Sequence, residues 1–264
     1  MKKYEVTQFK DGFKRLGIGK GDVLLVHNSL MNFGFPSDAR LQEVPAKIYE
    51  YLMNTIGPEG TFAVPVFNFD FCNGIPFNLK DTPSKNMGVF SEYVRLRPEA
   101  KRSRHAMQSL AVVGKYADYI VENDTASSFS PEGPFDRLLK LDGKILLLGA
   151  DINSVSMIHW VEEKLQVPYR YWKTFKGLYS DENVQKQKSY QMYVRSLDLN
   201  PRLKMDFIEK ELKKRNMLKE EKVGGGFLKA FKIKDFVNIA ETFIRRNPYF
   251  FVSNHPDFEK TIIS

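Results

Sequence analysis

A chain of 264 residues, 42% hydrophobic and 27% charged, has the size of one large α/β domain or two small ones and the balance of an ordinary globular protein. Its single cysteine excludes an internal disulfide, and no apolar run reaches the length of a membrane span. A net charge of +8 and a pI near 9.3 suggest an anionic partner: nucleic acid, anionic lipid or a phosphate-bearing small molecule.

Charges run throughout the first 22 residues, without the apolar core of a secretory signal, so a cytoplasmic protein is expected. Residues 7–16 read as an amphipathic helix with Phe9, Phe13 and Leu16 on one side. After a glycine turn, residues 23–27 form a buried strand that runs out into Asn28, Ser29 and, further on, Gly34. Open α/β sheets place ligands where a strand ends in such residues, and Gly34 would let a ligand approach the backbone; a plain βα loop fits equally well. Residues 44–56 are helical by period and stop at a Gly-Pro-Glu-Gly turn. Residues 61–68 make a third strand, in which Pro65 marks a sheet edge or a strand end. The aromatic stretch 69–80, which carries Cys72, reads as a loop over a pocket or a subunit contact.

A turn at 81–88 leads into a helix at 89–96. Arg102, Ser103, Arg104 and His105 then form an anion contact or a solvated approach to the strand 110–114. A short helix at 116–123 and a Ser/Gly/Pro-shaped loop follow, and Pro134 opens a helix at 135–140 whose free N–H groups favour phosphate. Residues 145–149 are a buried strand, then a polar turn, then a helix at 156–165 with Ser154 or Ser156 as its N-cap. On that helix His159 and Glu162 share a face, as a general base and its orienting carboxylate would, though ordinary surface pairs have the same spacing. Residues 172–198 resemble a β-hairpin and 201–216 a helix. The basic run 209–222 carries glutamates at helical spacing, which favours a solvated helix face over a nucleic-acid arm. Gly224 and Gly225 make a turn without a phosphate-loop motif, and 234–246 is an amphipathic helix with Phe236, Ile239, Ala240 and Phe243 inward. No repeat or linker interrupts the chain, so one domain over 1–264 is expected. No CxxC or HExxH motif suggests zinc. His105 reads as a loop hydrogen-bonder, His255 as a surface residue, and His27 as structural or ligand-adjacent.

Three segments, in this order, resemble the aminoglycoside N3-acetyltransferase family. Val26-His27-Asn28-Ser29-Leu30-Met31-Asn32-Phe33-Gly34 looks like its VHSSLSSFG. Thr82-Pro83-Ser84 to Met87-Gly88, continuing through Arg95, Pro98 and Arg102-Ser103-Arg104-His105, looks like TPSxxMG…RxxP…RSxHPxxS. Ser130-Pro131-Glu132-Gly133, then Leu141-Asp142-Gly143-Lys144 with its strand, then Ser156 to Glu162, is similar to SPFG…LDGKVLLLG…TxxHxxE. The resemblance covers residues 7–246 and implies an α/β fold: a mixed central β-sheet flanked by helices, with a C-terminal hairpin and helices. It implies direct N-acetyl transfer from acetyl-CoA, without a metal, to an amine on a sugar, with His159 and Glu162 as the catalytic pair. It places His27, Ser29, Leu30, Phe33, Gly34, Ser109 and Ser130 beside coenzyme A or its thioester, and Asn68, Asp70, Glu163 and Tyr169 toward the acceptor. The partner it implies is a small-molecule amino sugar, with no nucleic acid and no membrane; a homodimer is the oligomeric expectation.

Departures from the pattern are Asn28 for serine, Ser156 for threonine, Ala106 for proline, Gln108 for histidine and Glu132 for phenylalanine. None removes the catalytic pair. Aminoglycosides are polycations, so the basic pI suits an anionic acceptor better and points to a nucleotide-linked amino sugar of surface glycan synthesis, with aminoglycoside 3-N-acetylation as the alternative. Two rivals stand beside these. One is a ping-pong acyltransferase using Cys72. The other is a basic nucleic-acid-binding or scaffold protein, which would bind DNA or RNA in a salt-sensitive way.

Overall fold

A computed structural model describes residues 2–182 and 184–260. The elements in chain order are β1 (Lys3–Tyr4), α1 (Thr7–Arg15), β2 (Val23–Asn28), β3 (Phe35–Pro36), α2 (Val44–Ile56), β4 (Thr61–Pro65), β5 (Phe77–Asn78), α3 (Val89–Arg95), β6 (Lys101–Arg102) and β7 (Leu110–Gly114). They continue with α4 (Ala117–Val121), α5 (Pro134–Lys140), β8 (Lys144–Leu148), α6 (Ile158–Leu165), β9 (Arg170–Asp181), β10 (Val184–Arg195), α7 (Asp206–Lys214), β11 (Lys219–Val223), β12 (Gly226–Lys232) and α8 (Ile233–Arg246).

The central sheet has seven strands in the order β11-β12-β8-β2-β4-β7-β6. β8, β2 and β4 run parallel, and the flanking pairs are antiparallel, so the sheet is mixed. Its middle strands are apolar at nearly every position because both faces are covered. Leu24, Val26, Leu146 and Leu148 point to one side, where α1, α2 and α3 bury Phe9, Ile48, Leu52 and Phe90. Leu25, Ile145 and Leu147 point to the other, against Phe135, Val161, Phe236 and Ala240 of α5, α6 and α8. The period of two along each strand thus splits one apolar run between two cores. Burying Phe9 and Phe13 completely anchors α1 at roughly 1.5–3 kcal/mol for each ring. No helix among the described residues is long and apolar enough to cross a membrane.

A second sheet, β10-β9-β5, stands beside the first on its own small core of Phe71, Phe77, Tyr179, Tyr190 and Met192. The stretch 69–80 is therefore more than a covering loop: Phe71 and Phe77 are buried, and β5 pairs in parallel with β9. Pro65 sits at the end of β4, which is an inner strand and not an edge. The run 209–222 also departs from expectation. The helix stops at Lys214, and Lys219–Val223 is strand, paired with β12 across the Gly224-Gly225 turn. Tertiary pairing overrides helical spacing here, and its glutamates go to ion pairs: Glu220 with Lys213 and Lys229, Glu221 with Arg15. The tail is anchored, with Phe250, Phe251 and Val252 buried. His255 stacks on Tyr249 at 3.7 Å between ring centroids.

Candidate active site

The carboxyl ends of parallel strands β2, β4 and β8 open on one side of the sheet, the place where such sheets gather ligand-binding residues. His27, Asn28, Pro65, Phe67, Asn86, Met87, Ser91, Ser154, Ser156 and His159 line a cavity of about 330 Å³ there. Asn28 and Asn86 also belong to a larger, mainly apolar groove of about 870 Å³, with Ser29, Leu30, Met31, Gly34, Leu41 and Val89 on its walls. Neither lining includes a lysine or arginine.

Asn28 stands between the two spaces. Its amide donates to the Met87 carbonyl (3.0 Å) and to Ser91 Oγ (2.9 Å), tying the end of β2 to the start of α3. That closeness requires glycine at 88: its φ is +84°, and a Cβ would lie 2.1 Å from Asn28 Oδ1. Gly34 is constrained by the backbone as well, because a Cβ at its φ of +96° would lie 2.2 Å from the Lys2 carbonyl oxygen.

His159 enters the smaller cavity from the first turn of α6. The helix starts later than serine capping predicts: Met157 is its N-cap and no side chain caps it, while Ser154 and Ser156 line the cavity. His159 Nδ1 lies 2.6 Å from Glu162 Oε2, and Arg170 Nε lies 2.8 Å from the same oxygen. Glu162 is completely buried. Burial raises its carboxyl, but Arg170 and then His159 outweigh that, so it stays below its ordinary value and carries charge. A charged carboxylate at Nδ1 fixes the proton there and leaves the Nε2 lone pair free. Among the described residues the ring is bonded through Nδ1, and the orphaned buried ring nitrogen at this cavity is His27 Nε2. The ring of Phe129 meets the imidazole edge-on at 5.5 Å.

His27 lines the same cavity but is buried, and burial pulls its imidazole down to about 3, so it is neutral. Ser29, Leu30 and Gly34 line the groove. The Ser29 N–H is already donated to the Leu148 carbonyl at 2.8 Å. Phe33, Ser109 and Ser130 line neither space. Phe33 is fully buried against Phe9, and Ser109 Oγ accepts from Arg102 and donates to the Val66 carbonyl. Ser130 Oγ donates to the Ser127 carbonyl.

The residues expected to face the acceptor are also outside the cavity lining. Asn68 is buried, donating to the Pro83 carbonyl and accepting from the Asp70 N–H; Asp70 pairs with Lys85 at 2.6 Å. Tyr169 is buried and held as a neutral phenol by burial and by Glu162. Glu163 is buried too, bonded at 2.5 Å to Ser127 Oγ.

Other sequence candidates turn out to be architecture. Arg102 is no anion contact, since its guanidinium is spent on Ser109 Oγ and the carbonyls of Leu79, Thr82 and Val66. At the start of α5 an acidic side chain, Asp136, already takes the Glu132 N–H, which leaves no welcome for phosphate. Burial raises the Cys72 thiol, the opposite of what a nucleophile needs. Among the described residues no cluster of three or more His, Cys, Asp or Glu could hold a metal ion.

Sequence reasoning puts Asn28 at a ligand-binding strand end but does not place Arg170, Asn86 or Phe129 at the site. Arg170 stands eight residues beyond Glu162, past the helix end, where periodicity relates nothing.

Against known proteins, the family profile described as aminoglycoside 3-N-acetyltransferase matches residues 25–245. The aminoglycoside N(3)-acetyltransferase IV of Salmonella sp is 29% identical over 243 residues, covering 91% of this chain and 87% of that protein. Among solved structures, a mutant of AAC(3)-IVa in complex with apramycin superposes with a TM-score of 0.74 at 25% identity, covering 97% of this chain and 96% of the other. AAC-IIIb in a binary complex with CoASH gives 0.80 at 18% identity, covering 96% and 100%.

Proposed function

The chain belongs to the aminoglycoside 3-N-acetyltransferase family, and we propose that it moves the acetyl group of acetyl-CoA onto an amine of an aminoglycoside-type polyamino sugar. The observation that carries this reading is the charged, buried Glu162 holding His159 by Nδ1, with the imidazole on the wall of a cavity. The acceptor class is supported by the names of the relatives: an aminoglycoside N(3)-acetyltransferase from Salmonella, and a structural neighbour holding apramycin. The nucleotide-linked amino sugar loses its main argument, because the net charge of +8 is not gathered in the lining of either space.

In this reading residues 1–264 work as one domain. The mainly apolar groove beside the cavity is the space we assign to the pantetheine arm of coenzyme A. An amine near neutral pH is largely protonated and cannot attack. His159 Nε2 takes its proton, and Glu162 steadies the imidazolium that results. The amine nitrogen then bonds to the thioester carbonyl carbon, the carbon–sulfur bond breaks, the imidazolium passes its proton to the departing thiolate, and the second proton of the attacking nitrogen leaves through the freed imidazole to water. The Ser29 hydroxyl, on the wall of the groove, would meet the charge that develops on the carbonyl oxygen.

The test is thiol release from acetyl-CoA with apramycin- and kanamycin-type amines and with nucleotide-linked amino sugars. Preference for the aminoglycosides is expected. His159→Ala should lower kcat at least about a hundredfold, the usual scale for a lost general base. Near-parent turnover in that variant, or preference for the nucleotide-linked sugar, refutes the corresponding half of the reading.

A further inference from the structure

Glu163 follows the dyad carboxylate in sequence and lies one helical turn beyond His159, on the same side of α6. It does not line the cavity. Its Oε1 accepts from Ser127 Oγ at 2.5 Å, and Ser127 Oγ in turn accepts from the Phe129 N–H at 3.2 Å. Phe129, itself buried, lies between the ring of Phe135 at 4.3 Å and the imidazole of His159 at 5.5 Å. A chain of contacts therefore runs from Glu163 through Ser127 and Phe129 to the ring that faces the cavity.

We infer that Glu163 is a positioning residue, clamping the Ser127–Phe129 turn so that Phe129 holds the imidazole of His159 in place. Glu162 faces it from its own helix, and Arg170 and Tyr193 face it from β9 and β10. The turn itself contributes only the Ser127 hydroxyl. Burial pushes the Glu163 carboxyl up to about 7; the Ser127 bond opposes this, Glu162 adds to it, and Arg170 pulls it down. Above that pH the carboxylate takes a charge-assisted bond from Ser127; below it the neutral acid takes a weaker one. The clamp is thus tightest on the alkaline side. This role builds on His159 as the base, and it separates Glu163 from the acceptor contacts.

The test compares the full-length parent with Glu163→Gln, which keeps an acceptor for Ser127 but stays neutral. The parent-to-variant kcat ratio should rise about fivefold from pH 6 to pH 8.5, the worth of a charge-assisted over a neutral hydrogen bond. Ser127→Ala should show the same pH-dependent ratio, and the double variant should fall no further than Ser127→Ala, because coupled residues are not additive. A flat ratio overturns the inference, as does a loss confined to the acceptor KM, or losses that multiply in the double variant. If Glu163→Gln does not fold, Ser127→Ala carries the same pH test, since it leaves α6 intact. Parent-like turnover of His159→Ala would sink the base assignment; a flat ratio with His159→Ala inactive sinks the clamp alone.

Discussion

Two histidine-bearing regions of this chain spend their polar groups differently. Around Arg102 and His105 every ring or guanidinium nitrogen has a partner. Arg102 reaches one hydroxyl and three carbonyls, while His105 Nδ1 accepts from the Met107 and Gln108 N–H groups and its Nε2–H donates to the Gln191 carbonyl at 3.2 Å. Around His159 the bonding is incomplete: Glu162 Oε1 and the Nε2 of His27, which lines the same cavity, have no hydrogen-bond partner among the described residues. Glu162 is gripped by His159 and Arg170, and the imidazole so held lines a cavity. Buried polar groups that satisfy one another hold a fold in place. A held imidazole with one free nitrogen is equipped to move a proton.

The widest break in that contrast comes from Arg170→Met. It strips the cation from a fully buried carboxylate, and removing one partner of a buried pair costs about 3–5 kcal/mol. Denaturant unfolding should show the loss, and a cost below about 1 kcal/mol would mean that Glu162 does not depend on Arg170 for its charge.

A smaller effect belongs to His105, whose imidazole burial pulls down to about 4. The folded protein keeps it neutral, whereas the unfolded chain protonates it below about pH 6.5. The unfolded state then binds more protons, so stability present above pH 6.5 is lost as pH falls toward 4, by about 1.4 kcal/mol per pH unit for one proton. His27, pulled down to about 3, adds in the same direction. His105→Gln should flatten the acid limb of an unfolding series by one proton's worth; an unchanged slope would mean that His105 is not buried neutral. The smallest change is expected of Cys72→Ser, with thiol release unaltered, because burial raises that thiol. An inactive, folded variant would revive the ping-pong rival.

Much of this is readable in the chain alone. The strands at 23–27 and 145–149, the helix at 44–56, the hairpin and the α8 face all stand where apolar period places them. His159 and Glu162 are legible because three-residue spacing on a helix is a local fact. The misses share a cause. Lys219–Val223 carries a helical pattern but pairs as an edge strand beside β12, and the serines before α6 line a cavity and leave the helix uncapped. Arg102 reads as a basic surface group and is instead folded inward onto carbonyls from two separate segments, at Val66 and at Leu79 and Thr82.

The sequence by itself determined the family, through three ordered motifs, and the parallel core, through apolar runs that can be buried only on both faces. It also put His159 and Glu162 on one helix face, since residues three apart on a helix are neighbours. Tertiary structure alone decided that Glu162 stays charged, because Arg170 arrives from β9, and that Glu163 lies under a turn, away from the cavity. It decided that a net charge of +8 leaves the lining of both spaces without lysine or arginine. Charge state depends on distance and burial, and those are set only when separate segments fold against one another.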